Sequence, residues 1–332
     1  MSKKVLALPG DGVGPEVISS AASAISASTE DVDLVFGDIG VTAYNKTDHY
    51  LPPETIDLAI DSDAIIAGEV FKKNEDIKYR DPLRVLKKQL NLYCIMRKFR
   101  PLSDNIGCKG TDLIIMTGNP DALMNVIEKE NLDGVISEKF ITTESCRKLF
   151  QMTMRVAENK GRHKITCAHR SEMFPHMDGS FVDLFYKEMA ASPFTIEDAE
   201  VEEIASRLIV DPTSFDVLVC TDIYGATLSG LCAGLVGGTY LTPMGSIGDT
   251  QGLFEPMHGP KPNVEGGIVN PTSAILSGAL AMDHIGLPEA GEKIREAVRK
   301  VYATGKVTPD VGGTATCAEF TDHVIETIKN QM

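Results

Sequence analysis

A chain of 332 residues with 43% hydrophobic content is long for a single core and leads us to expect two α/β domains, each able to bury most of its apolar surface. The formal net charge of −15 argues against nucleic acid and anionic membrane surfaces as partners, because like charge repels at long range. Seven dispersed cysteines (Cys94, Cys108, Cys146, Cys167, Cys220, Cys232 and Cys317), with no CxxC pair, fit a reducing compartment rather than a disulfide framework or zinc site.

The apolar stretch after Lys4 is ended by Pro9 and Asp11, too short for a secretory signal, and no run reaches membrane-spanning length. We expect a cytoplasmic protein, or an organelle-matrix one whose leader is absent. Val5 to Leu8 reads as a buried strand, Pro15 opens a helix through Ala27, and Val32 to Phe36 is a second strand. Ala64 to Gly68 is an apolar strand covered on both faces, and Leu83 to Leu90 has helical spacing. Strands follow at Leu113 to Met116 and Gly134 to Ile136, then a long helix from Thr143 to Asn159. Lys164 to Ala168 and Val217 to Thr221 are further strands, with helices over Asp183 to Ala190 and Ile196 to Ile209 between them. This alternation predicts a largely parallel sheet with helices on both faces.

Two segments stand out. Leu8-Pro9-Gly10-Asp11-Gly12-Val13-Gly14-Pro15 joins a strand to a helix, but its glycine spacing is one residue short of a dinucleotide fingerprint, and Pro15 removes an amide that could face a pyrophosphate. A tight turn needing glycine dihedrals is one reading; contact of Gly10, Asp11 and Gly14 with a nucleotide is the other. The second segment, Glu255-Pro256-Met257-His258-Gly259-Pro260-Lys261-Pro262-Asn263, leads through Gly266 and Asn270 into a small-residue helix. A histidine in such a turn is often structural, yet Glu255, Asn263 and Asn270 are polar groups suited to adenine and ribose.

Together these segments resemble the β-decarboxylating dehydrogenases, the isocitrate and 3-isopropylmalate dehydrogenase family, in register from about Lys4 to Ile328. The resemblance implies a two-domain fold with a discontinuous first domain, residues 1–98 and 238–332, and a second, dimerisation domain, 99–237, with the ligand cleft between them. It implies that His258, Gly259 and Asn270 hold the adenosine half of NAD or NADP. Asn263 stands where an acidic residue marks NAD users and a basic one many NADP users, so the cofactor preference stays open, the more so with Lys261 beside it.

The chemistry of this family needs a divalent cation held by hard oxygen ligands, a general base, an acid and arginine clamps. The family's metal segment, Asn-x-Phe-Gly-Asp-x-x-Ser-Asp, is matched by Asp222-Ile223-Tyr224-Gly225-Ala226-Thr227-Leu228-Ser229-Gly230. Ala226 and Gly230 thus replace both aspartates, which puts Mg²⁺ or Mn²⁺ in doubt. The ligand supplied across the dimer falls at Glu202. The catalytic lysine and following asparagine fall at Arg170 and Glu172, and a guanidinium is no base near neutral pH. The third substrate arginine and the tyrosine correspond to Thr117 and Met124. In the stretch Leu86 to Arg97, taken as one helix, Lys87 replaces the first substrate arginine and Arg97 keeps the second.

Seven cations between Arg80 and Arg100 could bind a carboxylate or phosphate, or form a solvated helix face. The expectation is a nucleotide-binding scaffold with a degenerate metal and acid/base site. It would be a non-catalytic or regulatory homologue that binds a small anion and forms a homodimer or pairs with a catalytic homologue. The alternative is an active NAD(P)-dependent 2-hydroxy acid dehydrogenase with a site rebuilt from Arg170, Glu172, Glu202 and Asp222.

Overall fold

The computed structural model describes residues 2–71, 79–119, 125–259 and 267–331. Its strands are β1 (Lys3–Leu8), β2 (Val32–Phe36), β3 (Ala64–Ala67), β4 (Cys94–Phe99), β5 (Leu113–Gly118), β6 (Asn125–Asn131), β7 (Gly134–Phe140), β8 (Lys164–His169), β9 (Thr195–Glu200), β10 (Val217–Cys220), β11 (Pro243–Ile247) and β12 (Gly252–Pro256). The longer helices are α1 (Gly14–Ser28), α2 (Val41–Thr47), α3 (Pro53–Ile60), α4 (Pro82–Gln89), α5 (Thr143–Asn159), α6 (Met177–Met189), α7 (Val201–Val210), α8 (Asp222–Leu235), α9 (Thr272–His284), α10 (Pro288–Thr304) and α11 (Cys317–Lys329).

Local chemistry sets several boundaries. Pro15 lies in the first turn of α1, where its missing amide leaves no helix bond unmade. The Asp81 carboxylate accepts from the Leu83 and Arg84 amides to start α4, and reciprocal capping boxes start α5 at Thr142 and Ser145 and α11 at Thr316 and Glu319.

Ten strands form one sheet in the order β2-β1-β3-β12-β11-β4-β5-β10-β8-β9, while β6 and β7 pair as a separate ribbon. Pairing is parallel at both ends of the large sheet and antiparallel where β11 meets β12 and β4, and where β4 meets β5. Strand alternation divides the side chains between two faces. Met96, Met116 and Phe254 join the core under α1, α5, α6, α9, α10 and α11, whereas Phe99, Leu113, Ile115 and Leu218 pack under α7 and α8. Leu6, Leu8, Ile65 and Leu253 complete the latter face under α3 and α4.

The structure corrects three expectations. Ile196 to Ile209 is not one helix: Thr195–Glu200 pairs in parallel with β8 as the edge strand β9, and the helix begins at Val201. Half-buried polar side chains such as Glu197, which takes the Thr166 hydroxyl, hid the strand in a charged sequence. Leu86 to Arg97 is likewise divided: α4 ends at Gln89, Asn91 turns with φ +51°, and Arg97 sits on β4. Gly134 to Ile136 belongs to the ribbon, which exposes Leu132, Val135, Ile136 and Phe140, and not to the covered sheet. The strands β4, β11 and β12, which carry the antiparallel centre, were not read as strands at all.

Candidate ligand cleft on one face of the sheet

Arg97 on β4, Thr117 on β5 and Glu255 on β12 lie on the sheet face covered by α4 and α8. Lys87, in the last turn of α4, reaches Glu255 at 2.6 Å; the two side chains are 14% and 1% exposed. Burial opposes the Lys87 charge, but Glu255 outweighs it and holds the ammonium above the usual lysine range. Glu255 is therefore the counter-ion of Lys87, on a strand rather than in the turn where the sequence placed it.

Arg97 donates from Nη1 to the Thr117 hydroxyl at 3.4 Å. The surviving arginine thus bonds the residue that stands in place of the third. Burial pulls Arg97 below the usual guanidinium range, and Cys220 and Glu255 offset only part of this. No carboxylate among the described residues ion-pairs with it.

Asp222 opens α8, and Ala226 and Gly230 follow at four-residue intervals on the same helix face. A Cβ added to Gly230 would meet nothing within 4 Å, so space does not forbid an acid there. Gly225 is different, because its Cβ would collide with Thr117 Cγ2, and only glycine lets α8 lie this close to β5. The Asp222 carboxylate is 2.9 Å from the Lys139 ammonium on β7, both side chains being mostly buried. Lys139 also lies 5.6 Å from the Tyr224 ring centroid. The Tyr224 hydroxyl donates to Asp178, which also accepts from the Arg170 amide. Burial, then Asp178, pushes the Tyr224 phenol up.

Arg170 and Glu202, two further substituted positions, bond each other at 2.6 Å on an exposed surface. Glu172 is exposed, and its amide donates to Glu200. The Ser171 amide donates to His169 Nδ1, so Nε2 bears the proton given to Asp198 at 2.9 Å. The polar loop after β8 is held by its own bonds, and no cluster of three potential metal-ligating side chains occurs among the described residues.

The positions that the resemblance implies for a divalent ion hold few side-chain oxygens. Ala226 and Gly230 offer no side-chain oxygen, and Asp222 and Glu202 already face cations of this chain.

The nucleotide segments give a different picture. Asp11 is buried and its carboxylate accepts from the amides of Val41, Thr42 and Phe71. It ties the turn after β1 to the start of α2 and to the segment at Phe71. A Cβ at Gly10 would lie 2.5 Å from Glu69 O, and one at Gly14 would collide with Pro9 O, so both glycines are required by close backbone approach.

His258 is buried, stacks on Tyr240 with centroids 4.4 Å apart, and donates from Nδ1 to Gly259 O. A Cβ at Gly259 would enter open space. The Asn270 amide donates to Tyr302 and Asp310, while its carbonyl accepts from the Thr272 amide at the start of α9. It braces the loop from within. Met124, Lys261 and Asn263 lie outside the described residues.

Sequence reasoning missed Lys139 and Tyr240. Lys139 lies in a polar ribbon far along the chain from Asp222, and no local pattern marks it.

No helix among the described residues is long and apolar enough to cross a membrane. The family model described as isocitrate/isopropylmalate dehydrogenase matches residues 4–324. The isocitrate/homoisocitrate dehydrogenase of Thermus thermophilus is 33% identical over 335 residues, covering 99% of this chain and 100% of that protein. The homoisocitrate dehydrogenase of Methanocaldococcus jannaschii is 32% identical, covering 99% of both. The solved structure of a β-decarboxylating dehydrogenase from Thermococcus kodakarensis superposes with a TM-score of 0.90 at 28% identity, over 99% of this chain and 96% of that one. With fold, length and sequence in agreement, the chain belongs to the isocitrate/isopropylmalate dehydrogenase family.

Proposed function

We propose that this family member binds a nicotinamide nucleotide and a small carboxylate anion without carrying out metal-dependent oxidative decarboxylation, as a non-catalytic or regulatory homologue. The observation that carries this reading is the Lys139–Asp222 pair beside Ala226 and Gly230. Where the resemblance implies a cation held by three carboxylates, Glu202 alone keeps its acid and pairs with Arg170, while Lys139 neutralises the neighbouring Asp222. A bound divalent ion would have to break that pair and would find too few oxygen ligands.

Arg97 supports the anion. A mostly buried guanidinium without a carboxylate partner gains from an incoming negative charge, and its fork suits a carboxylate. Lys87 adds less, because Glu255 compensates it. For the nucleotide, the His258–Tyr240 stack and the open side of Gly259 form a wall, with Asp11 and Asn270 holding the loops in place.

In this reading residues 1–98 and 238–332 form one domain and 99–237 the other. Their strands occupy opposite ends of the sheet, with the division at β4 and β5. The exposed Leu132, Val135, Ile136 and Phe140 of the ribbon give the second domain a surface for a second copy or a catalytic homologue.

The test is calorimetry with Mn²⁺, NAD and isocitrate, alongside a turnover assay with NAD or NADP and a panel of 2-hydroxy acids. Anion or nucleotide binding that is indifferent to chelator, without cofactor reduction, is the expected result. Reproducible reduction of NAD or NADP by the purified protein would instead establish the alternative, a dehydrogenase with a rebuilt site.

A further inference from the structure

On the opposite face of the sheet a cavity of about 240 Å³ opens between α5, α9 and the β11–β12 hairpin. Its floor is apolar, made by Met96, Met152, Ile247, Phe254 and Leu280. The same strands carry Arg97 and Glu255 one residue further on, so this floor is the reverse side of the candidate cleft.

The charges at the mouth are unequal in what they still need. Lys160 and Arg295 both bond Asp283, at 2.5 and 2.9 Å. Asp249 accepts from the Tyr93 hydroxyl at 2.6 Å, and the Lys148 ammonium lies 5.6 Å from the same ring. His284 packs against Phe254, and burial holds its imidazole below the usual histidine range despite the Thr250 carbonyl. Arg155 remains, an exposed guanidinium with no ion pair among the described residues, one helical turn from Met152.

We propose that this cavity is a second ligand site, which takes a small apolar carboxylate. The hydrocarbon part would lie on the methionine, isoleucine, leucine and phenylalanine floor, and the carboxylate would meet Arg155 at the mouth. The apolar floor favours a branched or aromatic body over a polyhydroxylated one, because hydroxyls laid against Met96, Met152 and Phe254 would find few partners. Asp249 at the mouth disfavours a second negative charge on the ligand.

The experiment uses the full chain labelled with ¹³C at the methionine methyls, titrated with phenylacetate and with neutral phenylacetamide up to about 20 mM, since ligands this small bind in the millimolar range. Phenylacetate is expected to shift the Met96 and Met152 methyl signals and to bind about tenfold more tightly than the amide. Arg155→Gln, an exposed change that leaves the fold alone, should remove that preference, and Met152→Trp should fill the cavity and abolish the shifts. If Met152→Trp fails to fold by circular dichroism, the acid-to-amide ratio and Arg155→Gln decide. Absence of shifts at both methyls, equal affinity for acid and amide, or full retention of the preference in Arg155→Gln would each overturn the proposal.

Discussion

Lys87→Met isolates the electrostatics of the candidate cleft. The substitution keeps most of the side-chain volume but leaves Glu255, 1% exposed, without its cation. Removing one partner of a buried pair costs about 3–5 kcal/mol, because the remaining charge is desolvated and uncompensated. With an unfolding entropy of ~2.1 cal/mol/K per residue, the loss in a 332-residue chain corresponds to a Tm lowered by roughly 4–7 °C. The pH dependence gives a sharper test than the magnitude. In the variant a buried carboxylate charge has no partner, and acid neutralises a carboxylate. The loss relative to wild type should therefore be largest at neutral pH and shrink as the pH falls toward 5. The Lys87→Met, Glu255→Gln double variant should regain much of the loss at neutral pH. Thermal and urea unfolding followed by circular dichroism between pH 5 and 8 measure all three proteins. A Lys87→Met loss below about 1 kcal/mol, or one that does not shrink in acid, would refute the view that this pair is buried and mutually dependent.

Two further outcomes follow from the same geometry. Ala226→Asp combined with Gly230→Asp returns two carboxylates to the face of α8 where Gly230 has open space, and should strengthen Mn²⁺ binding by at least about tenfold by calorimetry. No gain would show that Lys139 or the backbone, not the missing acids, governs the site. Lys98 is pushed down to about 8, first by burial and then by Arg295, Lys160 and Arg162, with Asp112 opposing. Its unfolded form holds the proton up to about pH 10.4, so wild-type stability should rise between pH 8 and 10 relative to Lys98→Met. After discounting for partial exposure the difference is about 1–2 kcal/mol, read from urea midpoints, and parallel curves would contradict it.

The sequence alone determined the elements whose signals are local. Val32–Phe36 and Thr143–Asn159 were read with the observed ends, because an apolar run bounded by breakers and a capped amphipathic helix require no distant partner. It also determined what is missing: Ala226 and Gly230 have no carboxylates in any fold, and the two long motifs identified the family before any coordinate. Tertiary structure alone decided what the remaining groups do. The bonds that tie Asp11 to Phe71, and Asn270 to Tyr302 and Asp310, are of this kind. Lys139 and Asp222, 83 positions apart in the chain, meet only because the ribbon folds over the start of α8. Strand β9 declared itself only beside β8, since a strand of Glu and Asp is stabilised by its neighbour's hydrogen bonds and not by its own pattern. Side-chain type limits the chemistry available to a residue, but which charges are neutralised is a property of distances between segments, and those are set by packing.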